Sequence, residues 1–140
     1  MNVLNWRAFA PGLYSAGQPT PIQWREIRDA GVRAVLNLRP DNEQPGVDEA
    51  GLVAAAGLLY CHLPVASGDA LDAACIAEFS RILDLHPEGL LIHCGSGNRV
   101  GALVALRERR RHGASVENAL AAGRAAGLTG LSTKVAELLR

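Results

Sequence analysis

The chain lacks any apolar run that approaches the roughly 20 residues needed to cross a bilayer. Near Met1 it also lacks a charged segment followed by the apolar core of a secretory leader, which takes about 7–15 residues. These absences argue against a membrane-spanning or exported protein. We therefore expect a soluble, cytoplasmic protein.

Cysteine is scarce, and the three cysteines, Cys61, Cys75 and Cys94, do not suggest pairing. Their number is odd and no two of them have C-x-x-C spacing, which argues against a disulfide framework and against a zinc site. We expect a protein of a reducing compartment that needs neither a metal nor a cofactor.

The chain also lacks net charge, since 14 basic and 14 acidic residues cancel and form no long blocks. Nothing in this balance favours nucleic acid or an anionic membrane as the main partner, so any preference for an anion must be local. The one basic run, Arg107–Arg111, is interpreted either as the solvated last turn of a helix or as a docking patch. The sequence does not indicate an oligomeric state.

What the chain does have is apolar residues, 49% of 140, which is enough for one domain, 1–140, with a core of its own. Apolar β-type runs alternate with segments of helical periodicity. The predicted strands cover about 13–16, 32–38, 58–65 and 89–93, the first of them at a sheet edge; the predicted helices cover about 20–30, 47–56, 72–86, 100–112, 115–126 and 132–140. Such alternation predicts an α/β fold with a central, mostly parallel sheet flanked by helices.

The first helix shows its start most clearly. Thr20 is placed as N-cap, Pro21 as the first helical residue and Gln23 as the partner in a capping box. Ile22 and Ile27 are then expected to face the core. Ser115 is the expected cap of a later helix.

Ligands of such sheets bind where the strands end. The loops expected at this edge are 39–46, 66–71 and 94–99, so three separate segments can meet in one pocket. Cys94 would form its floor.

The third of these loops carries the strongest chemical signal. Cys94 ends an apolar strand and is followed by Gly95, Gly97, Arg99 and a helix start, so it lies among unpaired N–H groups and in the positive field of the helix dipole. A thiol in that place ionises easily. The glycines allow the backbone to curl around an anion, and Arg99 adds a bidentate fork. The alternative interpretation is a small buried cysteine in the core.

The motif His93-Cys94-x-x-Gly97 at a strand–helix junction resembles the cysteine-dependent protein tyrosine and dual-specificity phosphatases. The segments 12–19 (GLYSAGQP) and 35–39 (VLNLR) are similar to the opening of atypical dual-specificity phosphatases. Within that group the chain most resembles the bacterial beta-lactamase-hydrolase-like phosphatase family, over nearly its whole length. The resemblance implies a dual-specificity-phosphatase-like fold.

It also implies hydrolysis of phosphate monoesters, with a cysteinyl-phosphate intermediate on Cys94. Arg99 would hold the phosphoryl oxygens, together with the substrate-binding loop residues Gly95, Ser96, Gly97 and Asn98. Of these, Ser96 and Asn98 are also expected to brace the loop. The substrate would be a phosphoprotein, such as one with phosphotyrosine, or a small phosphorylated molecule.

His93 is the remaining member of the predicted substrate-binding set. It is expected either to orient the loop through backbone hydrogen bonds or to be a satisfied histidine at the end of a strand. We do not expect it to be the general base.

The loop departs from the phosphatase pattern in two respects. The arginine usually stands six positions after the cysteine, where this chain has Val100, whereas Arg99 stands five positions after it. Val100 also lacks the hydroxyl usual after the arginine. A loop of this length resembles that of rhodanese-like sulfurtransferases, which carry a persulfide. A sulfurtransferase and a phosphate-binding module without turnover therefore remain as alternatives.

The leaving group needs a proton donor on a neighbouring loop. Asp69 is the preferred candidate, Asp72 is the second and falls where a helix N-cap is wanted, and the absence of a dedicated aspartate is the third possibility. Arg39 is expected either to touch substrate phosphate or to pair with Asp41 or Glu43.

Cys61 and Cys75 are expected in the core. The alternative is that one of them is a redox partner of Cys94.

Overall fold

The computed structural model describes all residues, 1–140, and contains one five-stranded sheet. The strands are Arg7–Ala10 (β1), Leu13–Ala16 (β2), Ala34–Asn37 (β3), Leu59–His62 (β4) and Leu90–His93 (β5). Their order across the sheet is β1-β2-β5-β3-β4, with only the β1–β2 hairpin antiparallel. The predicted α/β fold with a mostly parallel sheet is confirmed, and β5 is its central strand.

Six helices cover the two faces of the sheet. They are Gln23–Asp29 (α1), Glu49–Ala55 (α2), Ala73–Leu85 (α3), Asn98–His112 (α4), Val116–Ala125 (α5) and Ser132–Leu139 (α6). None of them has both the length and the apolar character of a membrane span.

Alternation along the strands divides the core into two parts, because neighbouring side chains of a strand point to opposite faces. Leu90 and Ile92 belong to a cluster of 23 buried residues that includes side chains of α3 to α6. Leu91 belongs to a cluster of 10 that includes side chains of α1 and α2. Both faces of β5 are therefore buried, which fixes the position of whatever follows it.

The edge strand differs from the prediction. The segment 13–16 is a strand, but it lies between β1 and β5, and its residues Ser15 and Ala16 are fully buried. The edge is β1, which the sequence did not reveal. Three of its four residues are partly buried and Ala8 is exposed, so burial does not alternate along it and it carries no strand pattern.

The first helix starts two residues later than a Thr20 cap predicts. Residues 21 and 22 form a turn, regular helix begins at Gln23, and Ile22 is 81% exposed instead of facing the core. One half of the capping box exists, since Thr20 N–H donates to Gln23 Oε1 at 2.9 Å. Trp24 takes the core position expected for Ile22 and is buried together with Ile27.

Two predicted helix caps are confirmed. Asp72 Oδ1 accepts a hydrogen bond from Cys75 N–H at 2.8 Å at the start of α3, and Ser115 Oγ accepts one from Asn118 N–H at 3.1 Å at the start of α5. Asp72 therefore has a structural role.

The basic run at the end of α4 is more than a solvated turn. Arg109 donates to the carbonyl oxygens of Ala114 at 2.8 Å and Leu139 at 3.2 Å, which ties the ends of α4 and α6 together. Arg107 and Arg111 both pair with Asp84 of α3. Three of the four arginines thus hold neighbouring elements in place.

Candidate active site

Cys94 lies directly after the central strand, between the ends of its two neighbours. Its N–H donates to Ala16 O of β2 at 3.3 Å, and the carbonyl oxygen of His93 accepts from Leu38 N–H beyond β3 at 2.9 Å. The cysteine is 1% exposed. The sheet therefore holds the sulfur at its carboxyl edge, the edge predicted to carry the site.

The loop after Cys94 closes within three residues. Gly97 N–H donates to Cys94 Sγ at 3.1 Å, and Gly97 adopts φ +100°, a conformation that is unfavourable for residues other than glycine. Helix α4 then begins at Asn98. Gly95 has no positive φ, but a Cβ there would lie 3.4 Å from Arg99 Nη2, so its small size gives the arginine room.

The backbone of this loop keeps several hydrogen-bond donors free. The N–H groups of residues 95, 96, 98, 99 and 100 have no acceptor within the chain. Free N–H groups at the start of a 15-residue helix, in the positive field of its dipole, can bind an anion. The loop thus combines a buried thiol with the donors that an oxyanion needs.

Arg99 is held in this loop by a bidentate ion pair. Its Nη1 and Nη2 donate to Glu43 Oε2 at 2.7 Å and Oε1 at 2.9 Å, and Nη1 also donates to Val65 O at 2.9 Å. The pKa of Arg99 is raised, above all by the hydrogen bond to Glu43, against the opposing effect of burial and with a further contribution from nearby Cys94.

Glu43 shows the complementary effect. Its pKa is lowered, chiefly by the hydrogen bond from Arg99. Burial opposes this by a smaller effect, and Arg39 lowers the pKa further. The carboxylate is therefore ionised under all but acidic conditions.

The position of Val100 explains why the arginine stands one residue early. Val100 is 0% exposed and belongs to the large apolar cluster, which also contains Cys94. Arg99, with a side chain 16% exposed, precedes it in the first turn of α4 and reaches back to Gly95. A charged side chain at position 100 would be buried in the core, whereas at position 99 it reaches the loop.

His93 has no exposed surface, and its ring is paired with a carboxylate. Its Nε2 lies 2.7 Å from Oε2 of Glu49, which is 5% exposed, and its Nδ1 has no hydrogen-bond partner. Burial by itself would raise the pKa of Glu49, but hydrogen bonds from His93 and Gln18 and the charge of Arg39 outweigh it and lower the pKa. The ring is therefore satisfied at Nε2 only, and a role of His93 in orienting the loop stays a prediction.

Arg39 pairs with Glu43, one of the two partners predicted for it. Its Nε donates to Glu43 Oε1 at 3.1 Å and its Nη2 to Glu43 O at 3.0 Å, while its Nη1 donates to Gln18 Oε1 at 2.9 Å. Every nitrogen of the guanidinium is engaged within the chain.

The side chain of Asn98 is also engaged within the protein. Its Oδ1 accepts hydrogen bonds from the N–H groups of Thr129 at 2.9 Å and Leu131 at 3.2 Å, which attaches the start of α4 to the α5–α6 connection. This is the bracing role expected of it.

Ser96 is braced through its backbone. Its carbonyl oxygen accepts a hydrogen bond from Asn5 Nδ2 at 2.8 Å. Asn5 is the single non-glycine residue with a positive φ, +55°, and such strain is found where a side chain must be held in one place.

Asp69 lies on the loop between β4 and α3, in a 3-10 turn at Gly68–Ala70. Its side chain is 94% exposed, lies 3.8 Å from Lys134 Nζ, and makes no hydrogen bond to the cysteine loop. Asp69 as proton donor therefore stays a prediction.

Cys61 and Cys75 do not resemble reactive thiols. Burial raises the pKa of both, and each is packed against the large apolar cluster. Cys61 Sγ lies 3.8 Å from His86 Nε2, and neither cysteine is bonded to another. These contacts favour core positions.

The sequence predicted one residue that supports this site, Glu43, and only as a partner of Arg39. It did not reveal Asn5, Gln18 and Glu49. The one available signal was their placement in the segments that flank the strands, and it does not specify which loop residue each one contacts.

Comparison with protein families gives a match over residues 11–114 to the family described as "Polymorphic toxin system, DSP-PTPase phosphatase". Among curated proteins, the beta-lactamase hydrolase-like protein of Xylella fastidiosa is 38% identical over 97 residues, which is 66% of this chain. The chain spans only about a fifth of the curated relatives' length, 22% for that protein.

Solved structures agree with the fold. A candidate phosphatase (DUF442) of Shewanella putrefaciens is 26% identical with a TM-score of 0.77, over 98% of this chain and 87% of that one. A candidate phosphatase of Neisseria meningitidis is 22% identical with a TM-score of 0.80, over 100% of this chain and 99% of that one.

Proposed function

Because the chain belongs to the DSP-PTPase phosphatase family of polymorphic toxin systems, we propose that it hydrolyses phosphate monoesters through a cysteinyl-phosphate on Cys94. The observation that carries this proposal is the loop itself. A cysteine sulfur accepts the N–H of Gly97 at 3.1 Å, next to N–H groups without an acceptor and an arginine.

In the first step, the Cys94 thiolate attacks phosphorus, and a sulfur–phosphorus bond forms as the bond to the leaving oxygen breaks. The free N–H groups of the loop and the guanidinium of Arg99 hold the three equatorial oxygens. Catalysis is then mainly a matter of position, because these donors are fixed before the substrate arrives.

The departing oxygen takes a proton, and Asp69 is the carboxyl group that we propose as its donor. Glu43 and Glu49 are poor donors, because their pKa values are lowered and their carboxylates are engaged in ion pairs. Asp72 caps α3. Asp69 alone among these four combines a place on a strand-end loop with an exposed carboxyl group.

In the second step, water attacks phosphorus, its proton passes to the Asp69 carboxylate, and the sulfur–phosphorus bond breaks to return the thiolate and release phosphate. We propose a phosphorylated protein or a small phosphate ester as the substrate. Either would present the same phosphoryl group to the loop.

The test is release of phosphate from para-nitrophenyl phosphate, with thiocyanate formation from thiosulfate and cyanide measured separately. We expect phosphate release that is abolished in Cys94→Ser and kept in the control Cys75→Ser. Thiocyanate without phosphate would indicate a sulfurtransferase. Silence in both assays with tight binding of phosphate would indicate a binding module.

The Cys94→Ser variant also tests whether the anion site is preformed. The N–H donors of the loop are backbone groups, which this substitution does not remove. The variant is expected to lose turnover and to keep its affinity for inorganic phosphate, measured by calorimetry. Loss of that affinity in a folded variant would contradict a preformed anion site.

A further inference from the structure

A hydrogen-bonded chain of side chains joins the two residues that flank the candidate nucleophile. It begins at His93, directly before Cys94, and ends at Arg99, five positions after it. Four side chains from the segments after β2 and β3 and from the start of α2 form the links: Glu49, Gln18, Arg39 and Glu43.

The first half of this chain is built around an amide. His93 Nε2 lies 2.7 Å from Glu49 Oε2, and Gln18 Nε2 donates to the other carboxylate oxygen at 2.9 Å. Gln18 Oε1 in turn accepts from Arg39 Nη1 at 2.9 Å. An amide has one donating and one accepting end, so an anion on one side and a cation on the other fix its direction.

The second half is built around two ion pairs that share one carboxylate. Arg39 donates to Glu43 Oε1 at 3.1 Å and to its carbonyl oxygen at 3.0 Å. Glu43 then holds both terminal nitrogens of Arg99. Arg39 thus fixes both the backbone and the side chain of the residue that orients the arginine.

We infer that Gln18 and Arg39 are positioning residues, which join the carboxylate behind His93 to the carboxylate that orients Arg99. Neither side chain makes a hydrogen bond to the cysteine loop, although the backbone N–H of Gln18 donates to Gly95 O at 3.3 Å, a bond that a substitution of the side chain leaves in place. Their action is to keep Glu43 and Glu49 in one geometry, so that both flanks of Cys94 are set together. The inference rests on the proposed phosphatase function, because its benefit is the placement of Arg99 against a phosphoryl group.

Loss of the amide has a defined consequence. Arg39 has a side chain 17% exposed, and without Gln18 its Nη1 and one oxygen of Glu49 are left without their partner. Unpaired charges in such a place are costly, so Arg39 and Glu49 will each turn toward solvent, and no contact between them replaces the amide. Arg39 then leaves Glu43, and Arg99 loses its fixed orientation.

The test compares Gln18→Leu, Arg39→Met and the double variant, with para-nitrophenyl phosphate as substrate and orthovanadate as transition-state analogue. Each single variant is expected to lose about 10-fold or more in kcat/KM, because misplaced groups cost up to about 100-fold. The Kd for orthovanadate is expected to rise in parallel. The double variant is expected to lose no more than about twofold beyond the worse single variant. Both substitutions interrupt the same row of hydrogen bonds, so their effects are not additive.

The matched controls are a glutamine and an arginine with hydrogen bonds outside this chain. Gln23 bonds to Thr20 and Asn2, and Arg81 pairs with Glu78 on an exposed face. Gln23→Leu and Arg81→Met are expected to leave kcat/KM and the vanadate Kd unchanged. The inference would be overturned if the losses in kcat/KM of the two single variants multiplied in the double variant. It would also be overturned if the fraction of protein molecules with a working site fell while the Kd for orthovanadate stayed unchanged.

A second readout does not depend on turnover. In protein with ¹⁵N-labelled histidine, Arg39→Met is expected to shift the His93 ring resonances, and the same change made on a Gln18→Leu background is expected to leave them in place. A shift of equal size on both backgrounds, or no shift on either, would overturn the inference that these hydrogen bonds connect Arg39 to His93. Absence of phosphate release by the wild type would refute the proposed function alone.

Discussion

Glu43→Gln is the change that tests most directly whether an ion pair prepares Arg99 for a phosphoryl group. The carboxylate accepts from both terminal nitrogens of Arg99, at 2.7 and 2.9 Å, and from Arg39. An amide of the same shape keeps one accepting oxygen and presents an NH₂ group to a guanidinium that is itself only a donor. We expect the variant to release Arg99 from its fixed orientation and to lower kcat/KM.

The size of the loss follows from exposure. A hydrogen bond to a charged group contributes roughly 1.5–3 kcal/mol when buried. The side chains of Arg99 and Glu43 are 16% and 29% exposed, and the bond from Arg99 Nη1 to Val65 O remains, so we discount this to about 1–2 kcal/mol. That corresponds to a loss of about 5- to 30-fold in kcat/KM.

The assay is a Michaelis–Menten series with para-nitrophenyl phosphate, with Glu78→Gln as the control. Glu78 pairs with Arg81 on the surface, so its change is expected to leave kcat/KM within about twofold. Because the pKa of Glu43 is lowered, the wild-type pair stays intact down to acidic pH, and the two enzymes are expected to converge only there. A rise in kcat/KM of Glu43→Gln would refute the reasoning, since it would mean that Glu43 competes with substrate for Arg99.

Three further changes separate catalysis from structure. Asp69→Asn is expected to slow alkyl phosphates more than aryl phosphates with good leaving groups, which need little protonation. Asp72→Ala is expected to lower thermal stability through loss of the cap of α3, and the reverse pattern in kcat would exchange their roles. Glu49→Gln is expected to cost about 1–3 kcal/mol of stability at neutral pH. Because the folded pKa of Glu49 is lowered, this difference is complete above about pH 4.5 and shrinks as the pH falls through the lowered value; a pH-independent difference in urea unfolding would contradict it.

The parts of this fold that could be predicted from the sequence are those with a local cause. Asp72 and Ser115 cap helices because each lies three residues before the N–H that it accepts from. The Cys94 loop was predictable for the same reason, since strand, glycines, arginine and helix start are neighbours in the chain. Periodicity also predicted the order of strands and helices.

The parts that the sequence did not reveal depend on distant contacts. Strand β1 is held by its pairing with β2, and Arg7–Ala10 alone has no alternating pattern. Glu49 lies 44 positions from His93, and Glu43 lies 56 from Arg99. In a parallel sheet, every connection returns the polypeptide to the same end of the sheet, so loops that are distant in sequence meet at its carboxyl edge. No local pattern specifies which carboxylate of these loops pairs with His93 or Arg99.

Val100→Thr tests one of the two departures of this loop from the phosphatase pattern, the missing hydroxyl after the arginine. A hydroxyl usually follows the arginine, but Val100 is 0% exposed within the apolar cluster. Replacing a buried methyl group by a hydroxyl moves a polar group out of water, so we expect a loss of about 1–2 kcal/mol of stability and no gain in kcat. Val104→Thr, also buried (5% exposed) and one turn further along α4, is the matched control and is expected to cost a similar amount. A rise in kcat in Val100→Thr alone would contradict this, because it would mean that the new hydroxyl reaches the sulfur and helps it to leave.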